Sequence, residues 1–206
     1  SDFIKLISIY TALFFTAYLL IEKTIPKPRD NFGFLAGLGI VFRFVFIPAI
    51  PNLSQDFYRF LWDGQLLLQG VSPYLFTPSS STALGVTIEQ SQQLIEGMGA
   101  LNASHFSNYP PINQLFFAIA ALFAGKSILG SVVVLRVLII LADVGILYFG
   151  KKLLEKLNLP IKNIFWYFLN PFIIIELTGN LHFEGVMLFF FVWALYLVFK
   201  GKWLWA

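Results

Sequence analysis

Long apolar runs separated by short charged connectors make up most of the chain, and one polar stretch stands out by its length. A helix needs about 20 apolar residues to cross a hydrocarbon core. Runs at 3–21, 32–50, 127–149, 162–178 and 181–199 meet or approach that length and are expected to span a membrane. The run at 112–124 is apolar but short. About 13 helical residues rise only about 20 Å against a core of about 30 Å. The expected fold is therefore an all-α polytopic membrane protein, with 1–206 forming part of one transmembrane domain and 51–110 forming its long first loop.

Charge sets the orientation. Lys23, Lys27 and Arg29 lie between the first two runs, Lys151, Lys152, Lys156 and Lys162 between the third and fourth, and Lys200 and Lys202 after the last. Short loops rich in Lys and Arg face the cytoplasm, so all three clusters are expected on one side. If 112–124 crossed the bilayer, the 151–162 cluster would move outside. That segment is therefore read as an interfacial or re-entrant helix. Loop 51–110 then faces outward, as does the tight turn at 178–181, and the two are expected to meet the same aqueous face and to be able to build one site.

Composition supports this class. Of 206 residues, 58% are hydrophobic and only 12% charged, too little polar surface for a soluble domain of this size. The formal charge of +3 does not point to nucleic acid, because the basic residues cluster at span ends. With no cysteine, disulfides and thiolate metal sites are excluded. The chain opens without Met against an apolar run, and 202–206 resembles the start of another, so it reads as truncated at both ends, with one span missing before it and several after.

The loop carries the densest polar chemistry. Over Gln55-Asp56-Phe57-Tyr58-Arg59-Phe60-Leu61-Trp62-Asp63-Gly64, a helical reading puts Asp56, Arg59 and Asp63 on one face, and Phe57, Leu61 and Leu68 on another. The expectation is an amphipathic helix lying in the interface, apolar side down, with Tyr58 and Trp62 at headgroup level. Gly70-Val71-Ser72-Pro73-Tyr74 ends it. The plain alternative is a solvated helix whose Asp56–Arg59 pair is an exposed bridge of little weight. Asn108-Tyr109-Pro110-Pro111 closes the loop as a rigid turn, with Tyr109 a candidate site residue. Asn52-Leu53-Ser54 and Asn102-Ala103-Ser104 are glycosylation sequons, relevant only in a eukaryotic secretory pathway.

Arg43, Arg136, Asp143 and Glu176 lie inside apolar runs, where ionisable groups face the protein interior or a water-filled cavity. Arg136 and Asp143, seven residues apart, share a helix face, so mutual or interhelical pairing is one reading. The other is that Arg43 or Arg136 grips a phosphate. Asn170-Pro171 breaks the fourth run midway. Asn180, His182 and Glu184 follow beside Gly179 and fit either interfacial hydrogen bonding or a site.

Taken in order, Asp56-x-Tyr58-Arg59-x-x-Trp62-Asp63-Gly64, Gly70-x-Ser72-Pro73-Tyr74, Tyr109-Pro110-Pro111, Asn170-Pro171 and Gly179-Asn180-x-His182-x-Glu184 resemble the GT-C superfamily of membrane glycosyltransferases. The likeness is nearest to polyprenyl-phosphate-mannose-dependent mannosyltransferases and covers 51–199. It implies a GT-C-like transmembrane helix bundle. It also implies inverting transfer of a hexose, mannose by the nearest likeness, from a polyprenyl-phosphate donor to a glycan or glycolipid acceptor on the extracytoplasmic face, without metal or other cofactor. Partners are then the lipid-linked sugar, the acceptor and the bilayer, and no nucleic acid. The location implied is a bacterial inner membrane with the site on the periplasmic side. By the same resemblance Asp56 is the general base, and Arg59, Asp63, Tyr109, Arg136, Asn180, His182 and Glu184 bind substrate. Phe183 and Glu184 stand where relatives commonly carry Asn and Asp. A transporter using the intramembrane charges, or a non-catalytic membrane subunit, are the competing classes.

Overall fold

The computed structural model describes residues 2–23, 31–81 and 85–206. Its elements in chain order are α1 (Asp2–Lys23), α2 (Phe32–Phe44), α3 (Asp56–Leu68), α4 (Pro78–Ser81), α5 (Ser91–Ala103), α6 (Pro111–Ala124) and α7 (Ile128–Lys156). A 3-10 turn (Ile161–Ile164), α8 (Phe165–Phe168), α9 (Pro171–Ile173), a π-helical turn (Ile174–Gly179) and α10 (Glu184–Phe199) follow. No strand occurs among the described residues. The chain divides into two compact units, one formed by Ser1–Phe46 with Ile139–Ala206, the other by Ile47–Leu138. Lys27 and Arg29 of the first basic cluster lie outside the described residues.

In the first unit, α1 and the body of α7 carry the membrane character. Both helices are long and apolar enough to cross a bilayer. The run expected as a straight span over 32–50 is helical only over Phe32–Phe44. The run at 162–178 is not one rod either. Pro171 cannot donate a backbone hydrogen bond, so the helix stops before it and restarts with the Asn170 side chain accepting from the Phe172 amide at 3.0 Å. Pro171–Gly179 and α10 are apolar enough to form a span together, but they meet at a bend of 114°. The core gathers Ile21, Leu35, Ile146, Leu147, Ile164, Phe165, Phe168 and Leu169.

Inside this core Arg43 and Asp143 are fully buried and paired, Nε to Oδ2 at 2.7 Å. Arg43 also donates to the carbonyls of Gly39 and Phe168, and Tyr167 donates to the second Asp143 oxygen at 2.7 Å. The mutual reading of Arg136 with Asp143 is therefore replaced by interhelical pairing. Seven helical residues rise about 10 Å along the axis, beyond direct reach even on a shared face, whereas Arg43 approaches from another helix.

The second unit is built around α3, which packs against α5 and α6. Gly64 permits the closest approach, because a Cβ there would collide with the Phe117 backbone carbonyl of α6. Phe60 and Phe117 stack across the same contact with ring centres 4.4 Å apart. Phe57 and every residue from Arg59 to Leu66 are buried. This corrects the expectation of a helix lying open on an interface with one apolar side down. The polar face of α3 is buried along with the apolar one, because Arg59 and Asp63 pair with each other and Gln65 accepts from the Glu89 amide, so these groups keep partners away from water. Trp62, expected at headgroup level, is fully enclosed.

Candidate functional site

α3 begins at Asp56, a carboxylate in the first helical turn, where the backbone amides favour negative charge. Asp56 is exposed, whereas Asp63, two turns along nearly the same face, is wholly buried. The two acids read as equals on a helical wheel thus have opposite surroundings. Asp63 pairs with Arg59, Nε to Oδ1 at 2.7 Å, with both side chains almost inaccessible. Its other oxygen accepts from Ser107 Oγ at 2.6 Å and Gln114 Nε2 at 2.9 Å. Burial raises the Asp63 carboxyl above the ordinary carboxylate range, and the Arg59 charge and these hydrogen bonds offset only part of the shift. The exposed Asp56–Arg59 bridge considered from the sequence gives way to this buried i,i+4 pair, because Arg59 turns into the unit rather than out of it.

Arg59 does more than balance a charge. Its Nη1 donates to the carbonyls of Asn102 at 3.1 Å and His105 at 2.8 Å, at and just beyond the end of α5. Asn102 in turn directs its amide Nδ2 at Asp56 Oδ1, 3.5 Å away. Tyr109 is held by its ring against Phe60, 4.9 Å edge-on, and by its carbonyl, which accepts from the Tyr74 hydroxyl at 2.6 Å. Arg136, fully buried, donates from Nη1 to the carbonyls of Ile47 at 3.0 Å and Ala49 at 2.7 Å.

Asn180, His182 and Glu184 belong to the first unit, where Asn180 and His182 gather on Glu176 of the same stretch together with Tyr10, a residue that sequence reasoning had not joined to them. Asn180 Nδ2 donates to Glu176 Oε2 at 3.1 Å, and Tyr10 donates to Glu176 Oε1 at 3.3 Å. The His182 ring lies 4.0 Å from Glu176 and 3.8 Å from Glu184. Leu181 adopts a left-handed backbone, φ 61°, while fully buried. Such a conformation persists only where surrounding packing enforces it.

The second unit thus brings Asp56, Arg59, Asp63 and Tyr109 into one local assembly with Asn102, Ser107 and Gln114, which the sequence had not singled out for this role. Gln114 left a faint signal as one of two adjacent amides, with Asn113, in the first turn of an otherwise apolar helix. Residues 5–206 match the family model for the N-terminal domain of alpha-(1->6)-mannopyranosyltransferases, the MptA_B family. The chain belongs to this family. No curated protein and no solved structure gives a significant match. As a mannosyltransferase domain the chain is an enzyme component. Of the four charges set inside the apolar runs, Arg43 and Asp143 pair with each other, Arg136 donates to the Ile47 and Ala49 carbonyls, and Glu176 accepts from Tyr10 and Asn180.

Proposed function

We propose that the domain transfers mannose from a polyprenyl-phosphate donor to the hydroxyl of a glycan or glycolipid acceptor, with Asp56 as general base, in a GT-C-like bundle at the periplasmic face of a bacterial inner membrane. The observation carrying the base assignment is the contrast along α3. Asp63 has its oxygens committed to Arg59, Ser107 and Gln114 inside the unit, while Asp56 is exposed at the helix start. A base must come within hydrogen-bond reach of the proton it removes, and of the two α3 carboxylates Asp56 is the one open to a substrate.

In the reaction, the acceptor hydroxyl oxygen forms a bond to the anomeric carbon as the bond from that carbon to the phosphate oxygen breaks. The bonding pair leaves with the phosphate, and the hydroxyl proton passes to Asp56. A single displacement inverts the anomeric centre, so an α product requires a β-linked donor. The phosphate is already a good leaving group and requires no protonation. Helices of spanning length, α1 and α7, suit a donor whose hydrocarbon tail stays in the bilayer.

The test supplies membranes carrying the full-length protein with either polyprenyl-phosphate-mannose or nucleoside-diphosphate mannose. Transfer from the lipid-linked donor alone, abolished by Asp56→Ala in a folded protein, is the expected result. Transfer from the nucleotide-linked sugar alone overturns the donor assignment, and undiminished transfer by Asp56→Ala overturns the base assignment.

A further inference from the structure

We propose that Asn102 is a positioning residue for the Asp56 carboxylate and that Arg59 holds it in place for that task; the inference rests on reading Asp56 as the base. Asn102 lies in the last turn of α5, and that turn is not a simple continuation of the helix. Gly99 interrupts it at φ 76° and ψ 160°, a backbone conformation open essentially to glycine alone. The break gives residues 100–103 a direction of their own. Arg59 then donates to the Asn102 carbonyl, which also accepts from the His105 amide, and to the His105 carbonyl just beyond the helix, tying the end of α5 to α3. Arg59 is anchored by Asp63, and Asp63 by Ser107 and Gln114, with Gln114 also donating to Ser107 at 2.7 Å.

The outcome of this chain of contacts is one amide. Nδ2 of Asn102 faces Oδ1 of Asp56 at 3.5 Å, at the long end of a hydrogen bond, as is common in a resting site before substrate tightens it. With Oδ1 engaged, Oδ2 remains to accept the acceptor's proton. Arg59 on this account never touches the sugar, because its guanidinium is 1% exposed and turned inward. It aligns the base from behind.

The experiment measures single-turnover mannose transfer from polyprenyl-phosphate-mannose at saturating donor and acceptor, together with KM and thermal midpoint. The proteins are wild type, Asn102→Ala, Asn102→Gln, Asn102→Asp, Asp56→Asn and the double variant Asp56→Asn/Asn102→Ala. Asn102→Ala is expected to slow transfer about 10- to 100-fold with KM unchanged, the scale of a misplaced reacting group. Asn102→Gln, which keeps an amide donor, recovers part of the rate, and Asn102→Asp, which sets a second anion against Asp56, loses more than Asn102→Ala. In the Asp56→Asn background Asn102→Ala should add no further loss, since the residue acts only through the base. If Asp56→Asn keeps wild-type rate, the underlying base assignment fails. If Asp56→Asn is defective but Asn102→Ala transfers normally, or the two losses multiply, the positioning role alone is overturned. The Asp variant retains the size of the side chain and the Gln variant adds one methylene, so both leave no cavity and keep the comparison readable if the alanine variant folds poorly.

Discussion

Removing the Asp63 carboxylate probes the centre of the second unit. In Asp63→Ala, the Arg59 guanidinium stays buried at 1% exposure and loses its counter-charge at 2.7 Å, while Ser107 and Gln114 lose their shared acceptor. Breaking a buried pair from one side costs about 3–5 kcal/mol. The double variant Arg59→Met/Asp63→Leu removes both charges and replaces them with apolar bulk, a change that alone would be roughly neutral. It also removes the Arg59 donor from the half-buried Asn102 carbonyl, which keeps the His105 amide at 3.3 Å, and from the carbonyl of exposed His105, at about 1–2 kcal/mol for each bond lost. The double variant should therefore lose much less stability than the summed losses of the single variants Arg59→Met and Asp63→Leu, giving a favourable coupling between Arg59 and Asp63. Unfolding free energies from detergent-solubilised protein, followed by far-UV ellipticity, supply the cycle. An Asp63→Ala loss below about 1 kcal/mol, the range of an exposed bridge, would refute the reasoning.

Two further outcomes follow from the packing and the charge. Gly64→Ala places a methyl group against the Phe117 carbonyl and should destabilise by about 1–3 kcal/mol, while Gly33→Ala, whose Cβ meets nothing, should be neutral or slightly stabilising; thermal midpoints compare them. The Asp63 carboxyl, raised in the folded state by burial, keeps its proton to higher pH than in the unfolded chain. Its contribution to stability is full below the unfolded value near 3.8 and is lost as pH rises through the higher folded value. The stability difference between wild type and Asp63→Asn should therefore move against wild type over that window, and the opposite slope would contradict the assignment.

How much of this was legible from sequence depended on the range of the interaction concerned. The helical repeat put Asp56, Arg59 and Asp63 on one face, and α3 is helical over all three. A wheel carries no information about what lies against that face. Ser107 and Gln114, which enclose Asp63, come from 44 and 51 residues away. The same limit hid the Arg43–Asp143 pair, separated by 100 positions, behind the nearer but unreachable Arg136. Asn170-Pro171 announced its break, because proline acts on its own backbone. The π-helical turn after it left no trace in hydropathy, since Ile174–Gly179 is as apolar as a regular helix would be. Asn102 read only as part of a sequon. Its relation to Asp56 depends on the backbone of Gly99 and the reach of Arg59, neither of which has a periodic signature.

The central claim is that Asp56 accepts the proton of the acceptor hydroxyl during mannosyl transfer. Rapid-quench single-turnover transfer from polyprenyl-phosphate-mannose by Asp56→Asn tests it most directly, because the substitution preserves shape and removes the base. A rate lowered by about 10²- to 10⁴-fold, with donor affinity and thermal midpoint unchanged, is the predicted result. A wild-type rate from the folded variant would contradict it.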